Sequence, residues 1–180
     1  MRAERVPRDQ KPEEDMENII LIGMPGCGKS TVGVVLAKML GLKFTDSDLL
    51  IQDRYKKLLS ELISEYGSEG FKSVENEVNS SIELSGEILA TGGSAVYGEE
   101  AMEHLKKEGT VVYLKLSYEE IKSRLGNLSR RGVVMKEGYT LRDVYDERVP
   151  LYEKYADVTV DCEGLSLREV AEKIADIYTT

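Results

Sequence analysis

The sequence predicts a three-layer α/β/α sandwich, a parallel sheet of about five strands covered by helices on both faces. Three observations carry that reading. Short continuous apolar runs recur along the chain, as strands buried on both faces require. Between them lie segments with apolar residues at helical spacing, so strands and helices alternate. Glycine-containing turns, Gly23 to Gly28 and Thr91 to Gly93, follow two of the apolar runs.

The elements follow in order. Asn18 to Ile22 reads as a strand, and Val32, Val35, Leu36, Met39 and Leu40 mark a helix that Gly41 closes. Lys43 to Thr45 is a second strand, and Leu49 to Tyr66 carries two short helical segments. Phe71, Val74, Val78 and Ile82 mark the next helix, and Glu87 to Ala90 the strand before Thr91-Gly92-Gly93. Met102 and Leu105 suggest another helix and Thr110 to Leu116 another strand. Ser117-x-x-Glu120 then opens a helix over Tyr118 to Leu125 with a capping pattern. From Gly126 to Gly138 the periodicity fails. With the adjacent Arg124, the stretch holds Arg130, Arg131 and Lys136, and reads as a mobile cationic loop. Thr140-x-x-Asp143 caps a helix with Leu141, Val144, Tyr145, Val149 and Tyr152 inward, interrupted by Pro150. Val158 to Asp161 is the last strand. Ser166-x-x-Glu169 caps the last helix, whose apolar face is Leu167, Val170, Ala171, Ile174 and Ile177.

Composition narrows the class. The 180 residues suit a single hydrophobic core, expected over residues 16–180. Residues 1–15 mix Arg, Glu, Pro and Asp without the apolar stretch of a secretory signal and read as a solvated tail, with Met16 as an alternative start. Hydrophobic residues at 41% and charged residues at 32% exclude both the disordered class and an integral membrane protein. A net charge of −9 repels a phosphate backbone or an anionic bilayer, so neither nucleic acid nor membrane is expected as partner. Cys27 and Cys162 cannot build a disulfide framework, which fits a reducing cytoplasm. The expectation is a cytoplasmic monomer acting on a small molecule.

One motif dominates the chemistry. Gly23-Met24-Pro25-Gly26-Cys27-Gly28-Lys29-Ser30 fits G-x-x-x-x-G-K-[ST] and lies between a predicted strand and a predicted helix, the context that motif requires. Such glycines let backbone N–H groups form a concave nest for phosphates. The helix N-terminus adds partial positive charge, Lys29 reaches the β- and γ-phosphates, and Ser30 ligates Mg²⁺. ATP binding follows. Asp46-Ser47-Asp48 follows the second strand, at the carboxyl edge of the sheet, where open α/β sheets bind ligands. Either Ser47 or Asp48 caps a helix from Leu49, or the two carboxylates divide the work, one holding Mg²⁺ and the other taking a hydroxyl proton.

Other residues are weaker signals. Lys72, Glu75, Asn76 and Asn79 share a helical face that reads as solvated. Spacing turns Arg148 toward the buried side of its helix, which implies a structural salt bridge or an anion. Thr91-Gly92-Gly93-Ser94 permits close backbone approach to a ligand or simply makes a tight turn. His104, the single histidine, sits in a Glu/Lys-rich helix, so neither a histidine base nor a His-ligated zinc is expected. Tyr113, Tyr145, Tyr152 and Tyr155 read as packing.

Together these segments resemble the shikimate kinase family over Glu17 to Tyr178. The matching stretches are Ile20-Leu21-Ile22-Gly23 into the phosphate loop, Phe44-Thr45-Asp46-Ser47-Asp48, Gly67 to Glu75 with Phe71 and Glu75 in place, Ala90-Thr91-Gly92-Gly93, and Arg148-Val149-Pro150-Leu151-Tyr152. The resemblance implies a P-loop kinase fold with strand order 2-3-1-4-5, a closing lid over Gly126 to Gly138, and ATP- and Mg²⁺-dependent phosphorylation of the 3-hydroxyl of shikimate. It would place nucleotide on Gly26, Cys27, Gly28, Lys29, Ser30 and Thr31, with Arg124 against the adenine. Ser30 and Asp46 would sit by Mg²⁺. Asp48 would bind the acceptor hydroxyl and act as base, Gly92 and Gly93 would contact the acceptor, and Arg148 would hold its carboxylate. Charge neutralisation by Lys29, Mg²⁺ and a lid arginine would then supply most of the catalysis.

Three positions depart from the family. Lys72 stands where an arginine forms half of the carboxylate clamp, putting a point charge in place of a bidentate fork. The lid reads Arg130-Arg131-Gly132-Val133 rather than Arg-Pro-Leu, so Arg131 is the better match and Arg130 competes. Ser94 replaces the third glycine of the glycine-rich turn, where its side chain would either crowd the acceptor or add a hydrogen bond to it. Two alternatives stand beside shikimate phosphorylation: a kinase for another small hydroxy acid or polyol, and a non-catalytic nucleotide-binding regulator.

Overall fold

The computed structural model describes residues 17–126 and 133–179. Within them a five-stranded parallel sheet runs in the order β2-β3-β1-β4-β5. Its strands are β1 (Ile19–Ile22), β2 (Lys43–Asp46), β3 (Glu87–Ala90), β4 (Thr110–Lys115) and β5 (Val158–Asp161). All four residues of β1 are fully buried, since it lies in mid-sheet with Ile20 opposite Leu89 on one side and Val111 on the other. That position explains why β1 is a continuous apolar run rather than an alternating one. The helices are α1 (Lys29–Leu40), α2 (Ser47–Tyr55), α3 (Leu59–Asn79), α4 (Glu99–Glu108), α5 (Tyr118–Leu125), α6 (Leu141–Tyr155) and α7 (Leu167–Thr179). α1 packs along α7, whereas α4 and α6 pack on β4. The strand order and the layered α/β architecture are those the sequence implied. Among the described residues no helix is long and apolar enough to cross a membrane.

The capping patterns form as real hydrogen bonds. Thr140 and Asp143 exchange both bonds of a capping box, Ser166 and Glu169 do the same, and Ser117 Oγ accepts from the Glu120 amide. The Ser117 amide instead donates to Glu163, from the far side of the sheet edge.

Four local expectations are corrected. The cap of α2 is Asp46, whose Oδ1 accepts from the Asp48 amide at 2.9 Å, so the helix begins at Ser47 and neither Ser47 nor Asp48 caps it. The helix expected to end at Tyr66 and the one built on Phe71 join as α3, kinked at Gly67, whose φ of 70° suits only glycine. α6 passes through Pro150 to Tyr155, because Arg148, Tyr152 and Tyr155 are buried around the missing hydrogen bond and hold the helix in register. Ile177, expected on the inner face of α7, is half exposed near the chain end.

The main core surrounds the sheet, and a smaller one joins Ile51 of α2 to Leu62, Phe71, Val74 and Val78 of α3 and to Val134. Val134 brings one residue of the segment expected to be a lid into this second cluster. The expected lid arginines, Arg130 and Arg131, lie outside the described residues.

Candidate active site

A cavity of about 760 Å³ opens at the carboxyl ends of β1, β2 and β3. The phosphate loop forms one wall. Gly23, Gly26 and Gly28 take φ values of 148°, 81° and 98°, the last ending the loop as α1 starts at Lys29. Gly26, Gly28, Ser30 and Thr31 line the cavity, whereas Cys27 is buried with its sulfur 3.7 Å from Lys29 Nζ. Lys29 is only 8% exposed, and its ammonium donates to the carbonyls of Gly23 at 2.7 Å and Met24 at 3.0 Å. Neutral carbonyls hold the cation at the cavity without cancelling its charge.

Beside the loop, Ser30 Oγ donates to Asp46 Oδ2 at 2.7 Å. These two hard oxygen donors come together from α1 and the end of β2. Among the described residues no cluster of three His, Cys, Asp or Glu side chains could chelate a metal. A Mg²⁺ ion asks for less, being held by one or two carboxylates together with substrate phosphates and water. The pair therefore fits magnesium nucleotide.

Opposite the phosphate loop, two carboxylates converge. A Cβ placed on Gly92 would lie 2.4 Å from Glu75 Oε1 and 2.9 Å from Asp48 Oδ1, so both acids crowd the backbone of the glycine turn. Burial and the neighbouring Asp46 push Asp48 up to about 6 against the pull of Lys29. Glu75 is pushed up to about 7, chiefly by burial and also by Asp48, while the hydrogen bond from Ser94 and the charges of Arg148 and Lys29 hold it down. Burial of Glu75 overturns the expectation of a solvated face: it is 1% exposed and Asn79 is fully buried. A signal was available, because Glu75 sits four residues after Phe71 and three before Val78, within the apolar stripe itself.

The glycine turn is pinned in place. The Gly92 amide donates to Ser47 Oγ, the Gly93 carbonyl accepts from the Tyr152 hydroxyl at 2.6 Å, and a Cβ on Gly93 would strike Pro25 of the phosphate loop at 2.6 Å. Glycine is needed there for close packing of turn against loop. Tyr152, read as packing, also stacks on Tyr113 at 5.1 Å.

Arg148 reaches the same cavity from α6 with 1% of its surface exposed. Its Nε donates to the Tyr97 hydroxyl at 3.3 Å and its Nη2 to the Val134 carbonyl at 2.5 Å. Among the described residues it forms no ion pair with a carboxylate, so no structural salt bridge is found there. Its hydrogen-bond partners among the described residues are neutral acceptors, so they leave its positive charge uncancelled in the cavity.

Lys72 goes elsewhere. Its ammonium lies 3.0 Å from Glu69 and 3.9 Å above the ring of Tyr97, lining a separate groove with Asn76, Lys136 and Glu147. It does not line the cavity that holds Arg148 and Asp48. At the other end Arg124 lines the cavity next to Gly26, its Nε paired with Glu120 at 2.7 Å, and Leu165 to Leu167 complete that wall. Sequence reading missed these last residues, and also Tyr97, because their capping and turn patterns carry no trace of a ligand.

The family described as shikimate kinase matches residues 25–179. The chain belongs to the shikimate kinase family. A shikimate kinase of Thermodesulfovibrio yellowstonii is 39% identical over 166 residues, covering 91% of this chain and 95% of that protein. One from Parabacteroides distasonis is 38% identical over 157 residues, 83% of this chain and 90% of its own. Among solved structures, the shikimate kinase from Acinetobacter baumannii in complex with shikimate superposes with a TM-score of 0.82 at 33% identity, over 93% of this chain and 97% of that one. A gluconokinase from Sinorhizobium meliloti, at TM-score 0.55 and 18% identity over 91% and 95% of the two chains, shares the fold. Within the shikimate kinase family, then, this chain has Lys72 turned out of the cavity and Ser94 bonded to Glu75.

Proposed function

We propose that the chain transfers the γ-phosphoryl group of ATP to the 3-hydroxyl of shikimate, giving 3-phosphoshikimate and ADP. The observation that carries this is Arg148: a buried cation without a carboxylate partner among the described residues, in one cavity with Lys29 and Asp48. The acceptor then needs an anionic group at one end and a hydroxyl that reaches Asp48. Shikimate has both.

Each residue has a task. The loop amides and Lys29 hold the phosphates, and the helix N-terminus of α1 adds to their stabilisation. Ser30 and Asp46 would hold Mg²⁺, which when bound neutralises charge on the β- and γ-phosphate oxygens. Asp48, with a pKa of about 6, is ionised at neutral pH yet basic enough to take the acceptor hydroxyl's proton. Gly92 and Gly93 offer backbone to the acceptor, Ser94 lies beneath it, and Arg124 backs the base of the nucleotide. Arg131, with Arg130 beside it, would cover the transferring phosphate from the lid. The enzyme is taken to act as a cytoplasmic monomer, a state that size-exclusion chromatography checks.

The position of Lys72 outside the cavity favours one second reading, a different small hydroxy acid that needs only one cationic anchor. A coupled ADP-release assay over shikimate, other small hydroxy acids and carboxylate-free polyols separates the two. Turnover confined to shikimate supports the first reading. No turnover on shikimate, with turnover on another hydroxy acid, overturns it.

A further inference from the structure

Tyr97 stands outside the cavity yet touches both Arg148, which lines it, and Lys72, which lines the neighbouring groove. It lies in the short 3₁₀ turn Ala95–Tyr97 that follows the glycine turn. Its ring centroid is 3.9 Å from Lys72 Nζ and 5.3 Å from Arg148 Cζ. Its hydroxyl donates to Glu147 Oε1 at 2.7 Å and accepts from Arg148 Nε at 3.3 Å. Glu147 is held in turn by the Tyr139 hydroxyl at 3.2 Å and faces Lys136 at 4.0 Å.

The direction of these bonds follows from the chemistry. Arginine can only donate, so the phenol oxygen must accept from it. The hydroxyl proton is then free for Glu147, a carboxylate that this bond holds below the usual range. Burial and Glu147 push the Tyr97 phenol up to about 12, so its proton stays in place at any working pH. With Nε on Tyr97, one Nη2 hydrogen on Val134 and the Tyr152 hydroxyl also within its reach, the guanidinium still has Nη hydrogens left for a ligand. Arg148 has no carboxylate partner among the described residues to orient it, and Lys72 is not at its side in the cavity. The orientation of the single anchoring cation therefore falls to neutral partners, with the Val134 carbonyl on its Nη2 and the Tyr97 hydroxyl on its Nε edge.

We propose that Tyr97 is a positioning residue for the acceptor: its hydroxyl, aimed by Glu147, holds the Nε edge of Arg148 so that the Nη edge meets the acceptor carboxylate, while its ring keeps Lys72 in the neighbouring groove. The assignment rests on the proposed function, because it needs a carboxylate-bearing acceptor. It adds a residue that touches neither substrate.

Tyr97→Phe removes the hydroxyl and keeps the ring. Steady-state kinetics with shikimate should show a KM raised about five- to tenfold, with kcat and the KM for ATP within twofold of wild type. Glu147→Ala, at the solvent side of the same chain of bonds, should raise the shikimate KM in the same direction by less, and serves if Tyr97→Phe fails to fold. An unchanged shikimate KM in both variants overturns the assignment, as does a fall of kcat together with a rise of both KM values, which marks a general structural role. A wild-type enzyme that does not phosphorylate shikimate overturns the proposed function and this assignment with it. A wild type active on shikimate whose variants match it overturns the assignment alone.

Discussion

The Ser94 hydroxyl donates a hydrogen bond of 2.5 Å to Oε2 of Glu75, a carboxylate whose other oxygen is buried without a hydrogen-bond partner among the described residues. Burial and Asp48 raise the proton affinity of Glu75, and the Ser94 bond works against them. Ser94→Ala removes the opposing contribution, so the Glu75 carboxyl should titrate at higher pH than the present value of about 7. Carboxyl-carbon NMR titration of labelled glutamate reads this directly. A resonance that titrates at the same pH in both proteins contradicts the electrostatic account of the pair.

Asp48 carries a trade between activity and stability. Its folded pKa of about 6 exceeds the ordinary value of 3.8, so between those values the folded state binds more protons than the unfolded and stability falls as pH rises. Asp48→Asn abolishes the carboxylate and should gain about 3 kcal/mol above pH 6, seen as a Tm several degrees higher at pH 8, with the gain gone below pH 4. Turnover should drop by about two orders of magnitude or more, since an amide takes no proton. Because Asp46 is the helix cap, no loss of stability is expected. A variant that melts lower at pH 8 while keeping its rate sinks the base assignment.

Gly92 has no positive φ, so alanine is tolerated by the backbone and the effect of substitution is steric. Its new methyl group would meet both Glu75 Oε1 and Asp48 Oδ1. Overpacking of this kind costs about 1–3 kcal/mol and displaces the carboxylates. Gly92→Ala should therefore lose activity at least about tenfold while remaining folded, as circular dichroism and the shikimate assay together report. Full activity would place the carboxylates further from the turn than the structure has them.

Arg148 and Lys72 should separate on substitution. Arg148→Lys gives up the planar fork and should raise the shikimate KM roughly 10- to 100-fold, the range of a lost charge-assisted hydrogen bond. Lys72→Ala removes a cation that sits against Glu69 and Tyr97 outside the cavity and should raise it by less. Equal effects in the same kinetic assay would mean that Lys72 swings into the cavity when the acceptor binds.

Much of the fold was legible because its signals are local. A strand buried on both faces is an apolar run, a cap is a polar residue three positions from its partner, and the phosphate loop is eight consecutive residues, so Ile19 to Ile22, Thr140 with Asp143, and Lys29 with Ser30 could be placed from neighbours in sequence. Pro150, and the gap left between Tyr66 and Phe71, misled for the same reason. Proline is a helix breaker by its own chemistry, yet burial of Arg148 and Tyr152 carries α6 through Pro150, and α3 kinks at Gly67 and continues.

The sequence by itself determined that a strand, a glycine loop and a helix would build a phosphate site, that Asp46 and Asp48 would stand beside it, and that Arg148 would face inward. The tertiary structure alone decided what those groups meet. Glu75 and Asp48 converge on Gly92 only because α3, α2 and the end of β3 pack together. Lys72 leaves the cavity because the ring of Tyr97, from a turn after β3, lies under it. Tyr97 and Arg148 are 51 residues apart in the chain. Charge and hydrogen bonding act over a few ångströms of space, and no spacing along the sequence encodes a distance that the packing of separate elements sets.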